Sequence, residues 1–193
     1  MLIMESVLSM KEQLPQVRVF GLDQFNYPKF RGKIIDLYLN AFTKGEFAQY
    51  IPEATAESTL DDLLRNGFGN MAFVGDRLAG ILIALPLSYD KDFPNEQCSN
   101  IPLDKTVYIA EVMVHTDFRE RGVASHLLET FLQHANEVYT HTVIRVWDEN
   151  EPALNLYRKL GFVEVASLFQ TKFRSEDEGF EMRKIYMAKE IRS

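Results

Sequence analysis

Cysteine is almost absent from this chain of 193 residues, since Cys98 is the only one. An internal disulfide is therefore impossible, and a zinc site built from several cysteines is excluded. Long apolar runs are missing too. The longest, residues 78–87, contains Gly80 and Pro86 and falls well short of the ~20 residues that a membrane-spanning helix needs. We expect a cytoplasmic protein that makes no contact with a membrane.

Positive charge is scarce, because 21 Lys and Arg residues stand against 28 Asp and Glu residues, for a formal net charge of -7. A broad basic face that binds nucleic acid is therefore not expected. The four histidines, His115, His126, His134 and His141, form no HExxH or Cys–His pattern, so no bound metal is expected. Cys98 has no basic residue beside it, which argues against a covalent acyl-cysteine route.

The N-terminal stretch also lacks the order of a secretory signal, because Glu5 stands among its apolar residues and its first lysine follows them. We expect residues 1–15 to form a loosely ordered leader. No internal repeat or low-complexity tract follows. A length of 193 residues, 46% of them hydrophobic, suits one domain over 1–193 that buries a full core.

The hydrophobic pattern alternates between strand and helix periods. Strands are predicted over "QVRVFGL", "MAFVGDRLAGILIALPL" (a hairpin), "TVYIAEVMV", "HTVIRVW", "FVEVASLFQ" and "FEMRKIYMAKEI", and helices over "KFRGKIIDLYLNAF", "TLDDLLRNG", "GVASHLLETFLQHANEV" and "PALNLYRKLG". Thr59 is a possible N-terminal cap of the helix predicted over "TLDDLLRNG". Residues 88–105 are polar and are predicted to be a long loop. This order predicts an α/β domain with parallel pairing at its centre and antiparallel strands outside it.

The stretch "FRERGVAS", residues 118–125, lies between a predicted strand that ends near Val114 and a predicted helix that begins near Gly122. The first N–H groups of a helix have no partner within it and lie at the positive end of its dipole. Gly122 lets a ligand approach the backbone closely, while Arg119 and Arg121 add positive charge. The junction therefore predicts an anion site suited to a phosphate or pyrophosphate.

Two well-known phosphate-binding motifs are missing, GxxxxGK[ST] and a GxGxxG after a strand. The pattern that stands here is R-x-x-G-x-A, residues 119–124. A role without ligand binding stays open for each residue: Gly122 could serve only the geometry of the turn, and Arg119 and Arg121 could be solvated surface residues.

Two stretches carry a family resemblance. "VMVHTDFRERGVASHLLETFLQHA" resembles the acetyl-CoA-binding motif of the GNAT superfamily of N-acetyltransferases, which is a strand ending in valine, a short turn, [RQ]-x-x-G-x-[GA] and a long helix. "DENEPALNLYRKLGFVEV" resembles the second motif of the family through Asn150, Ala153, Tyr157, Gly161 and Phe162. Together the motifs cover about residues 107–166.

The resemblance implies a mixed, mostly antiparallel sheet with a splayed central parallel strand pair, flanked by helices on both faces. It also implies acetyl-CoA as co-substrate and possible homodimerisation. The residues that it places against the cofactor are Val112, Met113, Val114, Arg119, Glu120, Arg121, Gly122, Val123, Ala124, Ser125, Asn150, Ala153 and Tyr157. Asn150 could also be a plain helix cap, and the valines of the strand could be plain core.

Catalytic roles are implied for Tyr157 and Glu111. By resemblance, Tyr157 is the general acid that protonates the leaving thiolate, although it could simply be a core residue. Glu111 interrupts an apolar strand, where a carboxylate is costly unless it is paired or faces a cleft. It could be the general base, directly or through water, or it could bind the acceptor amine or mark a strand bulge.

One departure from the family leaves the identity of the base open. Some members carry a carboxylate on the strand "HTVIRVW", where this chain has Arg145 instead, so Asp148 and Glu149 are further candidates. The expected reaction is direct attack of a small-molecule or peptide amine on acetyl-CoA in a ternary complex. The alternative is a non-catalytic acyl-CoA-binding or regulatory module with the same fold.

Overall fold

The structure is a computed structural model that describes residues 16–45 and 48–191, so the expected leader over residues 1–15 lies outside the described part. Its helices and strands follow one another as β1 (Val17–Leu22), α1 (Tyr27–Thr43), α2 (Glu53–Asn66), β2 (Phe68–Val74), β3 (Arg77–Pro86), β4 (Thr106–Val114), α3 (Val123–Ala135), β5 (His141–Trp147), α4 (Glu151–Lys159), β6 (Val163–Phe173) and β7 (Gly179–Glu190). Every strand and helix expected from the hydrophobic pattern is present, with shifted bounds at some ends.

The strands form one sheet in the order β1-β2-β3-β4-β5-β7-β6. Among the described strands, β4 and β5 are the one parallel pair, and the other neighbours are antiparallel. The parallel ladder runs from Thr106↔His141 only to Ile109↔Ile144, whereas β4 continues to Val114 against β3. The predicted splayed pair at the centre of a mostly antiparallel sheet is therefore confirmed.

Helices cover both faces of the sheet, as the resemblance implied. On one face, the buried side chains of α3 and α4, such as Leu127 and Leu154, pack with Leu82 of β3 and Ile144 of β5. On the other face, α1 and α2 pack against β2, β3 and β4 through a second cluster that includes Met113. The sheet is thus enclosed in two apolar layers, whose burial is the main favourable term in folding.

Close packing brings α3 onto β3 at Gly80. A Cβ atom there would lie 2.8 Å from Cγ1 of Val123 and 2.9 Å from the carbonyl oxygen of Met113. Glycine at this position lets the first turn of α3 approach the sheet, and Val123 is almost fully buried as a result. The same contact fixes the N-terminus of α3 relative to the end of β4.

One local prediction needs correction. Helix α2 begins at Glu53 after Pro52, so Thr59 lies within the helix and is not its cap. Proline is well suited to a helix start because its missing N–H would have no partner there.

The segment 88–105 is a long loop, as predicted, with short 3-10 turns only at its two ends. Some of its side chains nevertheless pack inward, since Phe93, Cys98 and Ile101 are buried against β4, β5 and β7. These apolar side chains are spaced too irregularly to show a strand or helix period.

Candidate active site

A cavity of about 510 Å³ lies between the end of β4, the N-terminus of α3 and helix α4. We call it the donor cavity. It brings together nearly all the residues that the two motifs predicted, because β4 and β5 separate beyond Ile109 and leave space between them. Its lining includes Val112, Met113, Val114, Arg119, Glu120, Gly122, Val123, Ala124, Ser125, Asn150, Ala153 and Tyr157. Arg121 is the predicted residue that is missing from this lining.

The backbone of the donor cavity is shaped to receive an anion. Glu120 and Gly122 both adopt left-handed conformations, with φ of 61° and 76°. The N–H groups of residues 120–125 donate to no acceptor within the described ranges, and no side chain caps α3. Consecutive unpaired N–H groups at a helix N-terminus attract phosphate groups, since they add to the positive end of the helix dipole. The residues present therefore fit the diphosphate of a coenzyme A ligand.

The two motif arginines have side-chain contacts of their own. Arg119 donates from Nη2 to the carbonyl oxygen of Ala41, near the end of α1, at 2.9 Å. The guanidinium of Arg121 lies over the ring of Phe118, 5.7 Å from its centroid. Both contacts hold the loop in shape, so in this conformation the loop offers its backbone N–H groups, and Arg119 adds charge at the edge of the cavity.

Helix α1 also fixes this loop from the opposite side. The buried side chain of Asn40 accepts a hydrogen bond from the backbone N–H of Thr116 at 2.9 Å. Together with the Arg119–Ala41 contact, it ties the turn between β4 and α3 to the C-terminal half of α1.

Helix α4 begins at the second motif as predicted. The side chain of Asn150 accepts a hydrogen bond from the N–H of Ala153 at 3.3 Å, and Pro152 lies in the first turn. After the helix ends, Gly161 adopts a φ of 86°, a value that glycine tolerates and other residues rarely adopt. This geometry sets the orientation of α4 and places Tyr157 on its buried side.

A second cavity, of about 700 Å³, adjoins the first, and we call it the acceptor cavity. It lies between α1, the start of α2, β4 and the β6–β7 hairpin. The two cavities share Phe42, Val112 and Tyr157 as lining residues. A molecule in each cavity could therefore meet the other beside Tyr157.

Tyr157 is 6% exposed. Its hydroxyl group has no hydrogen-bond partner in the part of the chain that the structure describes. Burial raises the pKa of the Tyr157 phenol well above 10, and the nearby charge of Glu111 raises it further. The side chain is thus held as a protonated phenol, which is the form that can donate a proton.

Glu111 lies in the acceptor cavity, next to a bulge where β4 shifts register against β3. Burial raises the pKa of its carboxyl group to about 7, while the positive charges of Lys184, Lys172 and Arg145 oppose that rise. A carboxyl group with a pKa near neutrality can accept a proton from an amine and release it again. The sequence analysis left two explanations open for Glu111, a position facing a cleft and a position at a strand bulge. The structure shows both features at this residue.

Arg145 of β5 is held by a network at the wall of the acceptor cavity. Its Nη1 donates to Oη of Tyr186 at 3.0 Å and to Asp92 at 3.1 Å. Tyr186 in turn donates to the buried carboxylate of Asp90 at 2.8 Å. Asp90 and Asp92 belong to the segment 88–105, so this segment neutralises Arg145.

The remaining sequence candidates lie elsewhere. Asp148 pairs with Arg183 at 3.5 Å, and neither Asp148 nor Glu149 is among the described residues that line the two cavities. Cys98 is buried, and burial raises the pKa of its thiol. The described residues include no group of three or more His, Cys, Asp and Glu side chains that could hold a metal ion.

Several residues of the acceptor cavity were missed by the sequence analysis, namely Tyr38, Tyr108, Gln170, Lys172 and Lys184. A signal existed for Lys184, because it shares one face of β7 with the buried Met182 and Tyr186. A similar argument, a charged residue that interrupts an apolar strand, singled out Glu111. Tyr38 carried no such signal, since an aromatic residue on the apolar face of a helix is ordinary core.

Known proteins resemble both the sequence and the fold. The model of the acetyltransferase (GNAT) family matches residues 31–162. An N-alpha-acetyltransferase of Sulfurisphaera tokodaii is 35% identical over 68 residues, which are 34% of this chain and 41% of that protein. N-acetyltransferase 8F1 of Rattus norvegicus is 29% identical over 119 residues, 61% of this chain and 49% of that protein. The chain thus spans less than half the length of both curated relatives.

Solved structures extend the likeness to almost the whole fold. The ribosomal-protein-S18-alanine N-acetyltransferase from Escherichia coli superposes with a TM-score of 0.64 at 16% identity, covering 92% of this chain and 96% of that one. The yncA structure from Salmonella typhimurium, solved with its cofactor acetyl-CoA, gives a TM-score of 0.61 at 14% identity, covering 91% of this chain and 94% of that one.

No helix in residues 16–45 and 48–191 is both long and apolar enough to cross a membrane.

Proposed function

Since this chain belongs to the GNAT family of acetyltransferases, we propose that it transfers an acetyl group from acetyl-CoA to a primary amine of a small molecule or peptide. The transfer takes place in a ternary complex, with the donor and the acceptor bound at the same time. The observation that carries the proposal is the junction of the two cavities at Tyr157. One cavity has the backbone of a diphosphate site, and the other contains a carboxyl group with a near-neutral pKa.

On the donor side, the N–H groups of residues 120–125 bind the diphosphate of acetyl-CoA, which supplies the thioester. The edge of β4 beyond Ile109 has no strand partner on the β5 side, so its backbone binds the pantetheine arm as an added strand would. A backbone N–H between Val112 and Val114 stabilises the negative charge that develops on the thioester oxygen. These contacts orient the carbonyl carbon toward the acceptor cavity.

On the acceptor side, Glu111 takes a proton from the substrate ammonium, directly or through a water molecule, so that the amine nitrogen can attack the carbonyl carbon. An amide C–N bond forms and the C–S bond breaks. Tyr157 donates its Oη proton to the departing sulfur. Its raised pKa supports this role, because the phenol stays protonated until a thiolate is beside it.

The test is an acetylation assay with acetyl-CoA and a panel of amines, in which free thiol is measured together with the mass of each amine. We expect release of CoA that depends on the amine, with one amine gaining the mass of an acetyl group in place of one hydrogen atom. Binding of acetyl-CoA without turnover on any amine would overturn the enzymatic proposal and favour the non-catalytic module. Absence of both binding and turnover would refute the enzyme and the non-catalytic module alike, and only the similarity of fold would remain.

A further inference from the structure

Two lysines line the acceptor cavity, and the family motifs do not account for them. Lys172 lies on β6 and Lys184 on β7. In the antiparallel ladder, Leu168 pairs with Lys184 and Lys172 pairs with Phe180, so both lysines extend from the same face of the hairpin. That face forms one wall of the cavity, which also receives Glu111 from β4.

Neither ammonium group has a direct partner in the described part of the chain. Within the described residues, Lys172 and Lys184 have no hydrogen bond and no ion pair shorter than 4.0 Å. The other charged groups of the wall are engaged: Arg145 contacts Asp92, and Glu176 accepts a hydrogen bond from the hydroxyl of Tyr50. Lys172 and Lys184 thus face the cavity as cations without a direct counter-ion among the described residues, while the carboxyl groups of Glu111 and Glu176 line the same cavity.

Holding two such cations together carries an electrostatic cost. Burial, together with the like charges of Lys172 and Arg145, lowers the pKa of Lys184 to about 8 although Glu111 opposes the shift. An anion that entered the cavity would relieve this cost, since ammonium groups in partly buried surroundings are stabilised by a hydrogen-bonded counter-charge. Glu111 supplies only part of it, because its own raised pKa leaves it partly protonated near neutral pH.

We propose that the acceptor is an amine that also carries an anionic group, a carboxylate or a phosphate, which binds Lys172 and Lys184 while the amine lies between Glu111 and Tyr157. This inference rests on the acetyltransferase function proposed above. In this arrangement the anionic group of the acceptor contacts the wall formed by β6 and β7, and its amine lies beside β4. It also explains why an acidic protein keeps a wall of the cavity positive.

Matched acceptors test the inference. One series consists of ω-amino carboxylates with one to five methylene groups, and a second consists of the corresponding ω-amino carboxamides, which keep the amine and lose the charge. A third series of ω-aminoalkyl phosphates distinguishes the two anions. For the best chain length, we expect kcat/KM of the anion to exceed that of the carboxamide by about tenfold to a hundredfold, as for a hydrogen bond between charged groups.

The variants Lys172→Gln and Lys184→Gln should bring that ratio close to one, mainly by raising KM for the anion. Loss of either positive charge also raises the pKa of Glu111, so the two series are compared as a ratio at one pH, in which this common effect cancels. Lys184→Arg keeps the charge and should retain most of the preference. Lys105→Gln is the matched control, because Lys105 is exposed at the opposite end of β4 and should leave the ratio unchanged.

Two results would overturn the inference: equal kcat/KM for anions and carboxamides at every length, or a preference that survives in both glutamine variants. Either result is distinct from failure of the proposed function, in which none of the three series would be acetylated at all. Stabilisation by acetyl-CoA, measured with each variant, shows that the glutamine variants are folded and keep the donor site.

Discussion

Replacing Tyr157 by phenylalanine removes one hydroxyl group from the point where the donor and acceptor cavities meet. The ring is buried and packs at 6.0 Å from the ring of Phe162, and phenylalanine keeps this contact. The hydroxyl has no hydrogen-bond partner among the residues that the structure describes, so its removal leaves no polar group unpaired. We expect the free energy of unfolding to change by less than about 1 kcal/mol.

The effect on catalysis should be much larger. A positioned general acid contributes roughly 10²- to 10⁴-fold, which corresponds to about 3 to 5 kcal/mol of transition-state stabilisation. Because the proton is transferred only as the C–S bond breaks, Tyr157→Phe should lower kcat and leave KM for acetyl-CoA within a few-fold of its original value. The raised pKa of the phenol predicts that the deficit is similar across pH 6 to 9, since the native side chain stays protonated throughout.

Single-turnover measurement of thiol release separates this chemical step from product release. Tyr139→Phe is the matched control, because Tyr139 is a half-buried tyrosine that stacks on Phe68 away from both cavities. It should leave the rate unchanged. An unaltered single-turnover rate in Tyr157→Phe would refute the assignment of the acid, and a loss of Tm beyond about 4 °C would mean that packing contributed to the result.

Three further predictions concern Glu111 on the acceptor side and Gly80 in the core. The logarithm of kcat/KM should rise with pH through about 7 as Glu111 ionises, and in Glu111→Gln this acidic limb should flatten; a limb that is unchanged would exclude Glu111 as the base. Because its pKa is raised in the fold, ionisation of Glu111 should also reduce stability as pH rises from 4.5 to about 7, and Glu111→Gln should remove that decline in a urea titration. Gly80→Ala should destabilise the fold by about 1 to 3 kcal/mol, since its Cβ would overlap Val123 and the Met113 carbonyl. Gly21→Ala, with nothing within 4 Å of its Cβ, should cost less than about 0.5 kcal/mol by the same denaturation assay, and equal costs would contradict the packing argument.

The spacing of residues along the chain was sufficient to predict which residues meet in the donor cavity. The residues from Val112 to Ser125 lie on one strand, one turn and one helix start, so their spacing along the chain sets their spacing in the cavity. The hydrogen bond from the N–H of Ala153 to Asn150 is equally local. In contrast, the side chain of Arg119 donates to the carbonyl of Ala41, far away in sequence, and no local rule predicts that contact.

The acceptor side depends on contacts between distant elements. Its wall brings β6 and β7 beside β4 and α1, and the sheet order β5-β7-β6 that makes this possible is set by tertiary packing. The pairing of Arg145 with Asp92 needs the segment 88–105 to fold back over the sheet. The buried apolar residues of that segment, such as Phe93, show no period, so neither its packing nor its role in holding Arg145 could be read from the pattern.

The most direct test of the account is thermal unfolding with and without acetyl-CoA, for the native chain, Gly122→Glu and Gly75→Glu. Both glycines have positive φ, of 76° and 59°, so both variants carry similar backbone strain, but only Gly122 lines the donor cavity. At about a hundred times its dissociation constant, acetyl-CoA should add ~2.7 kcal/mol and raise Tm by roughly 5 to 10 °C in the native chain and in Gly75→Glu. Gly122→Glu, which places a carboxylate where we propose that the diphosphate binds, should abolish the shift. No shift in the native chain, or an equal shift in Gly122→Glu, would contradict the placement of acetyl-CoA at residues 120–125.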